Sequence, residues 1–164
     1  MYMTSPEADA PSVLCLAEAG FEPVARLLDG YGLELVVMPD RASIPGTYWG
    51  EPEAGIIGHR VYVRGDTPVH SALHEASHLL VLTPERRARV HTNATDSIAE
   101  EDAACYLQIV LAERLPGVGS ARLMADMDAW GYTFRLGSTR AWYENDSEDA
   151  RQWLEAHRPE LLNP

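Results

Sequence analysis

Hydrophobic and polar positions follow two periods along this chain, and the change between them marks its organisation. Apolar residues recur at helical spacing from Val13 to Ala19 and from Val24 to Leu28, where Gly30 and Gly32 stop the second helix. Leu33-Glu34-Leu35-Val36-Val37-Met38 predicts a strand ended by Pro39-Asp40. Ile44 to Gly50 reads as a loop. Ile56-Ile57 and Val61-Tyr62-Val63 predict two more strands, with Gly58-His59 as a turn between them. Gly65-Asp66-Thr67-Pro68 is a helix start, with Asp66 or Thr67 as cap and Pro68 in the first turn. The helix runs from Val69 to Leu82, and Pro84 closes it.

Beyond Pro84 the pattern is mostly helical. Arg86 to Asp96 is polar and carries no clear period. Ser97 to Leu115 has the best helical pattern in the chain and ends at Pro116-Gly117. Ala121 to Trp130 predicts a short helix stopped by Gly131, and Tyr132 to Tyr143 a loop with some strand character. Asp146 to His157 is a final amphipathic helix, with Ser147 as cap and Glu148 and Asp149 in its first turn. Helices, a few strands, then helices again predict an α+β fold with a small antiparallel or mixed sheet. Residues 1–12, rich in Pro, Ser and acids, read as a flexible N-terminal segment. Residues 13–164 have the length of one domain.

Composition narrows the function. Hydrophobic residues make up 46% of the 164, enough for a core. No stretch approaches the ~20 apolar residues that span a bilayer, so no membrane segment is expected. The formal charge of −12 repels phosphate backbones, so nucleic acid is not an expected partner. Cys15 and Cys105 lie far apart and form no CxxC pair, so no disulfide framework is expected. Met1 to Ala10 lacks the basic start and apolar run of a secretory signal, which makes the cytoplasm the expected location.

The chemistry concentrates in His74-Glu75-Ala76-Ser77-His78. Four residues apart on a helix, His74 and His78 share a face, and both imidazoles can reach one metal ion. Glu75, one step round the helix, sits beside the ion. There it can take a proton from a metal-activated water and later deliver it to a leaving group. This is the H-E-x-x-H arrangement of zinc peptidases, and Zn²⁺ is the expected cofactor. Leu73, Ala76, Leu79 and Leu80 form the helix's apolar face. His70 continues the row but stands ~12 Å from His78 along the axis, too far to share an ion on a straight helix. It is expected beside the site or at the surface.

A catalytic zinc site needs a third protein ligand and an open position. The helix beginning Ala99-Glu100-Glu101-Asp102 supplies candidates. Glu100 lies three before Ala103 and seven before Leu107, on the inward face, where a carboxylate must be paired or metal-bound. Glu100 is therefore the favoured ligand. Glu101, in line with Ala104, Cys105 and Gln108, is the alternative, and Asp102 points away.

A strand such as Val61-Tyr62-Val63, a helix with His74-Glu75-x-x-His78, and a later helix reading Glu-x-x-Ala-x-x-aromatic resemble the ImmA/IrrE-type metallopeptidases, of the gluzincin branch of the zincin fold. The resemblance covers roughly residues 55 to 115. It departs from the family's usual pattern at Ser77, where glycine is common, and at Ala104, where Asn or Asp is common. It implies a zincin-like sheet packed on the H-E-x-x-H helix and on a following ligand helix. It also selects Glu100, and implies an intracellular zinc-dependent endopeptidase acting on a peptide or protein.

Tyr132, Arg140 and Tyr143 are the candidates for steadying an oxyanion or substrate. His91 is an alternative ligand, and Cys105 is expected to be buried. Ile56-Ile57 or Val61-Tyr62-Val63 could hold a substrate backbone by strand addition. The alternative function is a metal-binding regulatory module that recognises a peptide without cleaving it.

Overall fold

The computed structural model describes residues 12–163 and a two-residue strand, β1, at Tyr2–Met3. Of the expected flexible segment, residues 1 and 4–11 lie outside the described residues. The following elements are α1 (Leu16–Ala19), α2 (Phe21–Asp29), β2 (Glu34–Val37), β3 (Gly55–Ile57), β4 (Arg60–Val63) and α3 (Val69–Val81). After them come α4 (Pro84–Arg87), α5 (Ile98–Glu113), α6 (Gly119–Trp130), β5 (Tyr132–Thr133), α7 (Thr139–Asn145) and α8 (Glu148–His157). A 3₁₀ turn at Pro159–Leu161 follows. The fold is α+β with a small mixed sheet. No helix among the described residues is long and apolar enough to cross a membrane.

β4 is the central strand of the order β2-β4-β3, parallel to β2 and antiparallel to β3. Its alternate residues Val61 and Val63 are fully buried, as period-2 patterning requires. α3 packs on β3 and β4 and, most extensively, against α5, which in turn supports α6 and α8. Leu73, Leu79, Leu107 and Leu111 are fully buried in these layers. Each contributes roughly 2 kcal/mol of burial free energy, which anchors the two helices against one another.

The outer edge of β3 is closed by the chain itself. Ile56 donates its N–H to Gly46 O (3.2 Å) and accepts from Thr92 N–H (2.9 Å), and Gly58 N–H bonds to Val90 O (2.9 Å). Gly46 (φ +71°) and Gly55 permit this approach: a Cβ on Gly55 would stand 1.9 Å from Pro45 O. Strand addition at Ile56-Ile57 is therefore blocked, and Val61-Tyr62-Val63, in the middle of the sheet, has no free edge at all.

Three local expectations are corrected. Neither Asp66 nor Thr67 caps α3: Pro68 holds the cap position, Thr67 Oγ1 accepts from Arg64 N–H (2.8 Å), and Asp66 pairs with the Arg64 guanidinium. The stretch from Arg86, read as aperiodic, begins with the last two residues of α4, which Thr83 Oγ1 caps. Arg87 of α4 donates to the carbonyls of Leu79 (2.8 Å) and Leu82 (3.4 Å), satisfying the C-terminal end of α3. The stretch 132–143 holds β5 and most of α7, which Ser138 caps through Ala141 N–H (3.1 Å).

Candidate metal centre and cleft

All thirteen residues of α3 are buried, including His70, Ser71, His74, Glu75, Ser77 and His78. An ordinary amphipathic helix would turn such residues to water. Burying them is unfavourable unless they have partners.

His74 is 2% and His78 8% exposed. Their Nε2 atoms lie 3.0 Å apart. Glu101 of α5 meets both, with Oε1 at 3.2 Å from His74 Nε2 and Oε2 at 2.8 Å from His78 Nε2. Two imidazole nitrogens and both oxygens of one carboxylate, from two helices, thus converge. Burial disfavours a charge on His74, but the Tyr132 hydroxyl, Glu101 and Cys105 outweigh it and raise its pKa well above the usual histidine value. Burial alone would raise the Glu101 pKa. The facing imidazoles reverse this and hold it far below the carboxylate range.

Glu100, favoured on helical phase, does not join the cluster. It is inward and buried, but both its oxygens accept from Arg86 of α4 (2.8 and 3.0 Å), and Thr95 Oγ1 donates to it (2.8 Å). The Arg86 pair lowers its pKa. An inward carboxylate must be paired or metal-bound, and here it is paired. Glu101, Cys105 and Gln108 of α5 meet α3.

Gln108 fixes the chemistry of His74. Its Nε2 donates to the His70 carbonyl (3.3 Å), which turns Oε1 toward His74 Nδ1 at 2.6 Å. The amide oxygen can only accept, so Nδ1 carries a proton, and a metal ion at the convergence point would meet the ring at Nε2. Replacing Gln108 with Leu is expected to lower metal affinity by roughly 10–100-fold. Competition with a chromogenic chelator measures this. Unchanged affinity would show that Gln108 does not set the tautomer.

Glu75 stands beside the two histidines; His74, Glu75 and His78 offer atoms within 4.8 Å of one another. Burial raises its pKa, against the pull of His78 and His74. Cys105 also approaches His74, with Sγ 4.0 Å from Nδ1, on the ring edge that Gln108 occupies. Burial pushes its thiol up to about 11, so it stays protonated.

A cleft of about 210 Å³ opens over His74, Glu75, His78 and Glu101. Tyr48 and Trp49 also line it, as does the segment Thr92 to Asp96. Thr92 holds a left-handed backbone (φ +72°), a strained conformation for a β-branched residue, where the chain leaves the β3 edge and enters the cleft.

No protein-family model, curated protein or solved structure matches the chain.

The remaining candidates fall elsewhere. Tyr132 lies behind His74, its ring 5.7 Å from the imidazole and its hydroxyl 3.2 Å from His70 Nδ1. Arg140 is exposed, and Tyr143 packs on Tyr106 at 4.9 Å. None of the three lines the cleft. His91 is exposed and bonds Thr92 Oγ1 (2.8 Å). His70 is buried, not at the surface: it packs against Trp130 and Tyr132, and burial lowers its pKa to about 3, leaving it neutral.

Glu53 carries no signal in the sequence, because no period frames it. It is 2% exposed, and Oε1 accepts from Trp130 Nε1 (3.0 Å). Burial lifts its pKa from 4.5 to about 7. Its folded pKa is raised, so its contribution to stability is complete below pH 4.5 and is lost as pH rises through 7. The change is roughly 3 kcal/mol. His70 acts in the opposite sense, its contribution falling as pH drops from 6.5 through about 3. Urea unfolding of metal-free protein at about pH 5 and about pH 8 should show wild type losing more stability than Glu53→Gln across this window. Equal losses would assign the dependence to other groups.

Proposed function

We propose that this chain is a zinc-dependent metallopeptidase with a zincin-like site, in which His74, His78 and Glu101 hold the metal and Glu75 is the general base. The observation that carries the reading is the convergence of the two Nε2 atoms and the Glu101 carboxylate beside Glu75 at a cleft. The donor set fits the ion. Zinc–nitrogen bonds of 2.0–2.1 Å at tetrahedral angles place ligand atoms about 3.3 Å apart. Here the two imidazole nitrogens lie 3.0 Å apart, and Glu101 meets them with one oxygen each, at 3.2 and 2.8 Å. Two imidazoles and one carboxylate form the ligand set of hydrolytic zinc and leave a fourth position open. Two histidines from one helix and a glutamate from a later one also agree with the gluzincin resemblance, with Glu101 in the place where the resemblance put Glu100.

When bound, zinc polarises a carbonyl and lowers the pKa of a water molecule. The chain's own residues do the rest. Gln108 keeps the His74 lone pair directed at the convergence point. Glu75 accepts a proton in the cleft and returns it to the departing amine. The buried α3–α5 interface holds these groups in register. The direct test measures the metal content of the purified full chain and its cleavage of a mixed peptide library by mass spectrometry. Stoichiometric zinc is expected, with cleavage abolished by a chelator and restored by zinc. A zinc-loaded protein that binds peptides but cleaves none would favour the non-catalytic module.

A further inference from the structure

We propose that the cleft selects peptides carrying a positively charged side chain, Arg or Lys, beside the scissile bond, through Tyr48, Trp49 and Asp96. This rests on the peptidase reading and names its substrate class. The argument begins at the β3 edge, where Ile56 spends both main-chain groups on Gly46 and Thr92. That edge cannot grip an extended substrate backbone, so selection falls to the side chains lining the cleft.

The two segments that close the edge continue into the lining. Gly46-Thr47 leads to Tyr48 and Trp49, and Val90-His91 leads to Thr92 and the residues up to Asp96. Tyr48 is 59% exposed, unusual for so large an apolar ring, and its ring meets Trp49 edge-on at 5.1 Å. Aromatic rings offer a negative face to cations. Asp96 accepts a hydrogen bond from Asn93 Nδ2 (3.0 Å) and remains exposed. Of the three carboxylates in the lining, Glu75 and Glu101 face His74 and His78, which leaves Asp96 to meet a cation, and no arginine or lysine lines the cleft. Arg86, which could have neutralised this region, has both its terminal nitrogens bonded to Glu100. A cationic side chain would use the rings and the carboxylate together. An apolar one would use only the rings and would strip water from Asp96 without replacing its hydrogen bonds.

Matched peptides that differ only in Arg, Lys, citrulline or Leu at each position flanking the cleavable bond provide the test. Their Kd is measured with zinc-loaded Glu75→Gln full chain, and kcat/KM with wild type. Arg and Lys are expected to be preferred over citrulline and Leu by about tenfold at one position, the combined scale of an exposed cation–π contact and a surface ion pair. Asp96→Asn, Trp49→Leu and Tyr48→Leu should each reduce that preference to about two- to threefold. Their unchanged circular dichroism and zinc content would establish folding. Equal binding of citrulline and Arg, a preference for Leu, or no binding of any peptide would overturn the proposal. Cleavage with no charge preference sinks the subsite alone. Charge-selective binding without cleavage by wild type sinks the peptidase reading and leaves the subsite standing.

Discussion

Zinc-loaded Glu75→Gln protein is expected to keep its metal and lose kcat by roughly 10²–10⁴-fold, the range that a positioned general base supplies. Glutamine keeps the size and the hydrogen-bonding oxygen of the side chain but cannot take up a proton. The substitution also removes a buried carboxylate whose ionisation burial disfavours, so thermal stability is expected to hold or rise. Metal content by atomic emission, the melting temperature and steady-state kinetics give three independent readings. Full activity with zinc retained would remove Glu75 from proton transfer. Loss of zinc would make it a ligand, an outcome the grouping of His74, Glu75 and His78 makes worth measuring.

The parts of the site that follow from helical geometry were legible in the sequence. His74, Glu75 and His78 needed only a helix, and Pro68 and the apolar row Leu73, Ala76, Leu79 and Leu80 supplied one. The strand–turn–strand at 55–63 was legible for the same reason, since period-2 burial and Gly58 are local signals. What depended on distant partners was not. Helical phase placed Glu100 inward correctly, but it could not reveal that α4 would present Arg86 to it. α4 is four residues of mostly charged sequence, so it leaves no hydrophobic period, and Thr83-Pro84 was its only signal. α5 is buried on more than one side, so its inward face has no single direction to read.

The burial of His70 was hidden for a related reason. A polar residue at the start of a helix reads as exposed until α6 and β5 bring Trp130 and Tyr132 over it, sixty residues further along the chain. Tyr48 and Trp49 were invisible as cleft residues because Gly46 and Ile56 place them there through main-chain bonds between remote segments. Local pattern therefore names His74, Glu75 and His78, whereas the approach of Glu101 and the walls of the cleft are products of packing.

That division is tested by exchanging the fates of the two adjacent glutamates. Glu101→Gln is expected to weaken zinc binding by more than roughly a hundredfold, beyond the 10–100-fold of an outer-shell change, because it exchanges the proposed carboxylate ligand for a neutral amide. Glu100→Gln is expected to leave zinc affinity within a few-fold of wild type. Its cost should appear in stability. The two-bond pair with Arg86 is lost, but Arg86 is 53% exposed and can turn to water, so the loss should be about 1 kcal/mol. Competition against a zinc chelator and urea midpoints separate the two effects. If Glu100→Gln lost zinc while Glu101→Gln kept it, the convergence of His74, His78 and Glu101 would be an ion pair of the metal-free protein, and the ligand chosen by helical phase would be restored.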